Sequence, residues 1–448
     1  MTEPTAQAER GISELDRAHG LRLAGDREAA LRLAAATLEA SPEDTGAAYL
    51  SARLLFELGH PDLVQAACLH AIERALRRAE LGLACVSALL LQEAGGDRSK
   101  ALERIAQAFG ADSPRLSDTA PASPPPLPAR ALNLDAWAAR SGGPLLAAAD
   151  QLLQRFCETE DSLPDNTPLP RLPLFGALES KLLSKLLALF VLREHAAGQT
   201  VMRQGEDGRE AYLLVRGVLN VVREDAQKSG QNVLLAVLGP AALFGEMALV
   251  SQAPRAASVV SVEPAQVLAV GRNQLEVLAR QDAAIGRELG AFCHRRMLTN
   301  LVRHSRILSA VAPAKRHDLM ARFTTRNFAP SEMLVRKDEE GGSLFLVAGG
   351  LVEVRSPDAT GDAVVLAQLG PGEVVGEISL VLRRPATADV AAVHRTVALE
   401  LTWNDFHDAI KEHPGLLAEL YEIATQREAE LRTVIAREAL DISDTVLL

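Results

Sequence analysis

Aromatic side chains are scarce in this chain of 448 residues, with 2 Trp, 3 Tyr and 11 Phe, 4% in all. Hydrophobic residues still make up 48%, so any core has to be packed from alanine, leucine and valine. Cysteine is equally sparse. Cys68, Cys85, Cys157 and Cys293 stand far apart without a metal-ligand spacing. They read as buried thiols of a reducing compartment, and the expected location is cytoplasmic. Uninterrupted apolar runs of the ~18–20 residues that a membrane span needs are missing. The first residues are polar and acidic, without the basic-then-apolar order of a secretory leader. Positive charge is in deficit: the formal net charge of -11 disfavours broad binding to nucleic acid. Arg77-Arg78 and His294-Arg295-Arg296 then read as solvated helix faces. Catalytic signatures are lacking too. The 10 histidines include no H-x-x-x-H pair, and there is no nucleophile elbow, kinase glycine loop or P-loop lysine. His195, His317 and His407 read as surface or core residues. The expectation is a protein that is not an enzyme and needs neither metal nor cofactor.

One stretch is chemically specific. Phe244-Gly245-Glu246-Met247-Ala248-Leu249 is followed by Ala253-Pro254-Arg255-Ala256-Ala257. Gly245 can take a positive φ and let a ligand approach the main chain. Glu246, acceptor-only when ionised, suits a ribose hydroxyl. Met247 and Ala248 continue into a segment suited to one helical turn, whose free N–H groups would point at an anion. Arg255 offers a planar fork matched to two phosphate oxygens. Ala256 and Ala257 leave neighbouring backbone N–H groups open to the same phosphate. The composite is a device for holding a phosphorylated sugar.

Around it, Leu174-Phe175 opens a helical segment through Leu192, with Leu178, Leu182, Leu186 and Leu189 on one face. Gly198, Gly205, Gly208 and Gly217 then punctuate short runs such as Thr200-Val201-Met202 and Tyr212-Leu213-Leu214-Val215, a pattern of antiparallel strands. Further strands are expected at 257–262 and 266–270, and helix from Asn273 to about Leu308. The pattern then repeats. Leu344-Phe345-Leu346-Val347 with Gly350 echoes Tyr212–Val215 with Gly217, an offset of about 133 residues, one domain's length. Val375-Gly376-Glu377-Ile378-Ser379-Leu380 echoes the opening of the first stretch, and helix is expected from about Asp405 through Arg437. Where Arg255 follows Glu246, the second copy has Ala386 following Glu377 at the same spacing; Gly205 corresponds to Asp338. Arg383 and Arg384, just before Pro385, are either substitutes from another angle or solvated loop residues.

The run from Phe244 to Val259 resembles the phosphate-binding cassette of the cyclic nucleotide-binding domain family. That family includes the regulatory subunits of protein kinase A, cyclic nucleotide-gated channels and the bacterial catabolite activator proteins. The resemblance implies a jelly-roll domain whose trailing helices, here 273 to 308, close as a lid over the ligand. It places cyclic nucleotide contacts at Gly245, Glu246, Met247, Ala248, Arg255, Ala256 and Ala257. A second, weaker set is Gly376, Glu377, Ser379 and Thr387, in a copy that lacks the arginine. Family members that bind cGMP carry threonine after the cassette arginine. Ala256 at that place implies cAMP.

The first 111 residues are rich in Ala and Leu and read as helical, with turns at Gly25-Asp26, Gly59-His60-Pro61 and Gly95-Gly96-Asp97. Gly25 to Gly59 matches the period of about 34 residues of a tetratricopeptide repeat, and Pro42 lies where such a repeat closes. The segment resembles degenerate repeats of that kind without their Trp and Tyr positions, the alternative being a generic helical bundle. Either provides a surface for a protein partner. Residues 112–172 read as a Pro-rich linker containing Pro124-Pro125-Pro126 and a short helix around 145–158.

The expected architecture is therefore α+β and multidomain. An all-α helical repeat (1–111) and the linker precede two antiparallel β-roll domains with flanking helices (173–305 and 306–440) and a tail (441–448). The expected function is a cytosolic cyclic nucleotide receptor or adaptor that couples ligand binding in the first roll to protein contacts of the helices. The alternatives are a constitutive scaffold with relic binding domains and a kinase regulatory subunit. Against the last, residues 111–172 hold no R-R-x-[Ala/Ser]-apolar inhibitor stretch. A DNA reader has no room after the second roll, no membrane span is expected, and oligomerisation is left open.

Overall fold

The computed structural model describes residues 13–120, 130–161, 163–224, 232–247, 254–357 and 363–445, with side chains as far as 430, Glu224 and His304 excepted. The triple-proline run and Ala248 fall outside the described residues. The chain divides into two compact units: 1–204 with 210–246 and 257–289, and 205–209 with 247–256 and 290–448.

The first unit begins with six helices: α1 (Glu14–Leu23), α2 (Arg27–Ala40), α3 (Thr45–Glu57), α4 (Val64–Arg77), α5 (Leu81–Glu93) and α6 (Arg98–Phe109). Successive helices pack on one another, and α1–α2, α3–α4 and α5–α6 are joined by equivalent turns. In each turn the N–H three residues past the helix reaches back five residues: Asp26 to Leu21 O, His60 to Leu55 O and Gly96 to Leu91 O. The carboxylates of Asp26, Asp44 and Asp97 accept from the N–H of Ala29, Ala47 and Lys100, closing the N-termini of α2, α3 and α6. Such a cap is worth about 1 kcal/mol. The core is the predicted one of small and aliphatic residues, Ala34, Ala48, Leu50, Leu54, Leu76, Ala84 and Leu90 among them.

The segment 112–172, expected as a linker with a short helix around 145–158, holds that helix and a second one. Two helices, α7 (Leu134–Ala138) and α8 (Gly142–Glu158), pack on α2, α3 and α4. The cause is an apolar stripe at helical spacing, Leu145, Ala149, Leu152, Leu153 and Phe156, all buried. Trp137 is also buried, and its indole N–H donates to Glu39 at 2.8 Å. The Arg74 guanidinium lies 4.0 Å from the Phe156 ring centre and donates to the Phe156 and Thr159 carbonyls. Strands β1 (Leu116–Ser117) and β2 (Leu169–Pro170) pair in parallel, so the two ends of this segment return to each other.

After a 3₁₀ turn at Phe175–Ala177 and helix α9 (Ser180–Ala188), the first roll is built from eight strands. They are β3 (Val191–His195), β4 (Thr200–Met202), β5 (Glu210–Arg216), β6 (Leu219–Glu224), β7 (Asn232–Leu238), β8 (Leu243–Phe244), β9 (Ser258–Ser261) and β10 (Ala265–Gly271). They form two four-stranded sheets, ordered β3-β10-β5-β8 and β4-β9-β6-β7. The predicted helix from 174 to 192 is thus shorter: Val191 and Leu192 already pair with Ala269 and Leu268.

Helices of the first unit lie against the β3-β10-β5-β8 sheet. Arg22 of α1 bridges Glu57 of α3 and Glu194 of β3 at 2.8 and 2.7 Å, and Gln266 of β10 donates to the same Glu194 at 2.7 Å. Asp16 of α1 pairs with Arg216 of β5. Gly82 lets α5 rest on β5, because a Cβ there would meet the Val215 Cα at 3.0 Å. Helices α10 (Arg272–Gln281) and α11 (Ala283–His304) follow, and the boundary between units falls within α11.

The second unit repeats the roll. Strands β11 (Thr324–Phe328), β12 (Met333–Val335), β13 (Ser343–Gly349), β14 (Val352–Pro357), β15 (Ala363–Leu369), β16 (Val374–Val375), β17 (Asp389–Ala392) and β18 (Thr396–Thr402) run in the orders β11-β18-β13-β16 and β12-β17-β14-β15. Strand for strand this is the topology of the first roll. Phe328 and Phe345 meet edge to face at 5.8 Å in its interior with Val347, Val352, Val375 and Val390. Short helices α12 (Arg306–Ser309) and α13 (Arg316–Met320) precede the roll, and α14 (Glu377–Leu382) follows β16. The single trailing helix expected from 405 to 437 is two, α15 (Trp403–Glu412) and α16 (Pro414–Thr445), broken at Pro414. Phe406, Leu416 and Leu420 seal them onto Leu344, Leu346, Leu399 and Leu401. Met247, from the first cassette, packs on this same cluster.

Candidate functional site

In the first copy, β8 delivers the cassette. Phe244 is buried and stacks on Tyr212 of β5, ring centres 5.2 Å apart. Gly245 follows with φ 74° and Glu246 is 4% exposed. Met247 is half-buried, Ala256 is exposed, and Ala257 is buried. Arg255 is 7% exposed, an unusual depth for a guanidinium. Its backbone is held by a turn: Gly205 N–H donates to Arg255 O at 2.9 Å, and Arg255 N–H donates to Glu206 O at 2.8 Å. Glu246 belongs to the first unit and Arg255 to the second.

The second copy reproduces this frame. Asp338 N–H donates to Ala386 O at 2.8 Å, and Ala386 N–H donates to Glu339 O at 2.9 Å. Asp338 even keeps the positive φ, 64° against 82° at Gly205. Ala386 therefore occupies the structural place of Arg255. Gly376 has φ 86°, and a Cβ on it would lie 2.5 Å from the Ser343 carbonyl oxygen, so glycine is required. Glu377 and Ser379, on α14, are 3% and 6% exposed; Thr387 is exposed. These residues line a cavity of about 140 Å³ with Val335, Val354, Leu369, Ala386 and Val390.

Neither Arg383 nor Arg384 reaches this cavity. Arg383 is exposed at a left-handed φ of 51°, and Arg384 pairs with Glu428 at 2.9 Å on the surface. The cation that does line it is Arg427 of α16. Its guanidinium bonds Glu377 at 2.9 Å, Glu373 at 2.7 Å and the Val374 carbonyl. The sequence reading missed Arg427. No motif marks it, and it stands 50 residues from Glu377.

Among the described residues no group of three or more His, Cys, Asp or Glu is placed to hold a metal, and no helix is long and apolar enough to cross a membrane. The four cysteines are unpaired; burial pushes the Cys68 and Cys85 thiols up to about 12.

The model of the cyclic nucleotide-binding domain matches residues 192–282 and 325–413, which are the two rolls. A cyclic AMP receptor protein of Thermus thermophilus is 30% identical over 205 residues, 41% of this chain and 92% of that one. A cAMP-dependent protein kinase type II regulatory subunit of Drosophila melanogaster is 27% identical over 226 residues, 50% of this chain and 56% of its own length. The corresponding regulatory subunit of Yarrowia lipolytica is 26% identical, over 49% of this chain and 54% of its own. The chain thus spans little more than half of these two kinase regulatory subunits. It belongs to the cyclic nucleotide-binding domain family and carries two tandem copies of the domain. The relatives are named as regulatory subunits and a receptor rather than as enzymes. That match does not extend into the helical region.

Proposed function

We propose that this protein is a cyclic nucleotide receptor, with cAMP as its ligand, bound by the first of its two copies. The ligand contacts are Gly245, Glu246, Met247, Ala248, Arg255, Ala256 and Ala257, with Arg255 on the cyclic phosphate and Glu246 on the ribose. One observation carries the reading. The first copy keeps an arginine at a buried cassette position where the second, with the same backbone hydrogen bonds, has Ala386. Burying a guanidinium carries a desolvation cost, and a cyclic phosphate is an anion matched to its planar fork. The names of the relatives, which specify cAMP, agree with this choice.

Binding is coupled to the helical region through β5. That strand carries Tyr212, stacked on Phe244 beside Gly245, and also Val215 and Arg216, against which α5 and α1 rest. Output through a protein partner of the helices follows from this linkage. Because ligand and partner affinities change reciprocally, a partner of the helices would shift cAMP affinity by the same factor. A regulatory role toward a kinase is the second reading, favoured by the names of the relatives.

The test is the melting temperature of the full chain with and without saturating cAMP. Ligand at 100 times its Kd adds about 2.7 kcal/mol of stability, and Arg255→Glu is expected to abolish the shift. A wild-type melting curve unmoved by cAMP refutes the receptor reading and leaves the scaffold.

A further inference from the structure

Arg77-Arg78, which reads from the sequence as a solvated helix face, is instead largely covered where α4 ends. With Arg74 and Arg115 it makes a cluster of four guanidinium groups within the helical part of the first unit. Two carboxylates meet the cluster, both from the connection between α8 and β2. Asp165 accepts from Arg77 at 2.8 Å, and Asp161 lies 3.6 Å from Arg77 and 3.9 Å from Arg78. The other carboxyls nearby are engaged elsewhere: Glu73 pairs with Arg104, Asp44 caps α3, and burial raises Glu80 to about 7. Arg74 and Arg115 hydrogen-bond main-chain carbonyls instead, Arg74 those of Pro42, Phe156 and Thr159, Arg115 those of Leu76 and Thr167. In a chain of net charge -11, this is a local surplus of positive charge.

The two carboxylates fit the cluster incompletely. The Asp161 side chain is 2% exposed, yet its Oδ2 accepts no hydrogen bond, and the buried Nε of Arg78 donates none. Charge-assisted contacts close at about 2.7–2.9 Å, so Asp161 leaves much of that interaction unmade. The close pair, Arg77–Asp165, lies at the surface with Asp165 77% exposed, where such pairs contribute little. Neither end of the connection depends on these acids: Thr159 N–H bonds Arg155 O to close α8, and Leu169 N–H bonds Arg115 O where β2 joins β1. We propose that this arginine cluster docks an acidic peptide segment of a partner protein, and that Asp161 and Asp165 are internal stand-ins which the partner's carboxylates replace. A peptide is the fitting class because the cluster already reads carboxylates and main-chain carbonyls together, groups that a polyphosphate does not combine. The inference rests on the proposed output through the helices and gives that partner its chemistry; it requires nothing of the ligand of the first roll.

The experiment is fluorescence anisotropy of a labelled hexaglutamate peptide titrated with the full chain at low salt, without nucleotide. Asp161→Asn/Asp165→Asn removes the internal charges and keeps the side-chain shapes. It is expected to bind the peptide about ten-fold or more tightly than the wild type, the worth of one charge-assisted contact no longer competed for. The affinity should fall as salt is raised. Adding Arg77→Gln/Arg78→Gln is expected to abolish the gain, and a hexaglutamine peptide is expected not to bind. Circular dichroism melts report the folding of each variant. If the double variant melts early, Asp165→Asn alone, a change at an exposed side chain, carries the same test with a gain of about three-fold. The proposal is overturned if removing the acids leaves hexaglutamate affinity at the wild-type level, or if the variant without Arg77 and Arg78 binds the peptide equally well. It is also overturned if a single-stranded oligonucleotide of the same charge binds the acid-free variant more tightly than the peptide does, which would make the cluster a polyphosphate site. Such a failure leaves the cAMP melting test standing, and a wild type unmoved by cAMP strikes only the receptor reading.

Discussion

Replacing Arg22 by methionine tests how firmly the helices are joined to the first roll. The Arg22 side chain is 7% exposed and makes four hydrogen bonds: two to Glu57 at 3.0 and 2.8 Å, and two to Glu194 at 2.7 and 3.0 Å. Glu57 would keep Arg53 at 2.8 Å and Arg27 at 3.2 Å. Among the described residues Glu194 would keep only the neutral Gln266 as a side-chain donor, so the stranded charge is at Glu194. Removing one partner of a buried pair costs about 3–5 kcal/mol. With Glu194 19% exposed, the lower end applies, about 3 kcal/mol. The double variant Arg22→Met/Glu194→Gln strands no charge and is expected to recover about 2 kcal/mol of the loss. Arg22→Lys falls between, since one ammonium cannot serve two carboxylates as the planar fork does.

The assay is urea denaturation followed by the fluorescence of Trp137, which is 1% exposed, in a Trp403→Phe background that removes the other of the 2 tryptophans. The acid limb of stability supplies a second readout. Burial works against the charge of Glu57, but its hydrogen bonds to Arg22 and Arg53 outweigh that and lower its pKa. The stability it contributes is therefore present above the unfolded carboxylate pKa and lost as pH falls through the folded one. Arg22→Met should flatten that limb. A single variant within about 1 kcal/mol of wild type, or a double variant no better than the single, would refute the reasoning.

Other consequences are equally direct. Glu80 ends the connection before α5, and burial raises its carboxyl to about 7. An acid whose folded pKa is raised binds its proton more tightly when folded, so stability should fall as pH rises from about 4.5 to 7. The loss is on the order of 2–3 kcal/mol for such a shift, and Glu80→Gln should remove it from the pH profile of urea midpoints; an unchanged profile counts against the assignment. Gly376→Ala must take a positive φ and also place its Cβ 2.5 Å from the Ser343 oxygen. It should destabilise the second roll by roughly 1–3 kcal/mol or more, seen as a lowered melting transition, whereas Gly143→Ala, with nothing near its Cβ, should be close to neutral.

The two rolls were legible because their signals are local. Tyr212 and Phe345 sit at the same register of equivalent strands, opposite Phe244 and Val375, and the sequence offset already paired them. The loss of the second arginine was legible too, since residue spacing after the glutamate is preserved and the backbone pairing at Ala386 repeats that at Arg255. What misled was composition. Proline and serine between 112 and 172 suggested a spacer with one short helix around 145–158; the helix is there, but its stripe from Leu145 to Phe156 is buried as core, and α7 beside it was not expected.

By itself, the sequence determined the elements whose causes lie within a few residues. These are the glycine turns of the helical hairpins, the alternating strands, the cassette with Glu246 and Arg255, and the unequal repeat ending in Ala386. Tertiary structure alone decided the rest. It set α7 and α8 onto α2, α3 and α4, joined Arg22 to a glutamate 172 residues away, and placed Arg427 beside Glu377 across 50 residues. The physical reason is one of range. Backbone angles and side-chain periodicity constrain neighbours along the chain, whereas a buried charge can be satisfied by any partner the fold brings within hydrogen-bond distance.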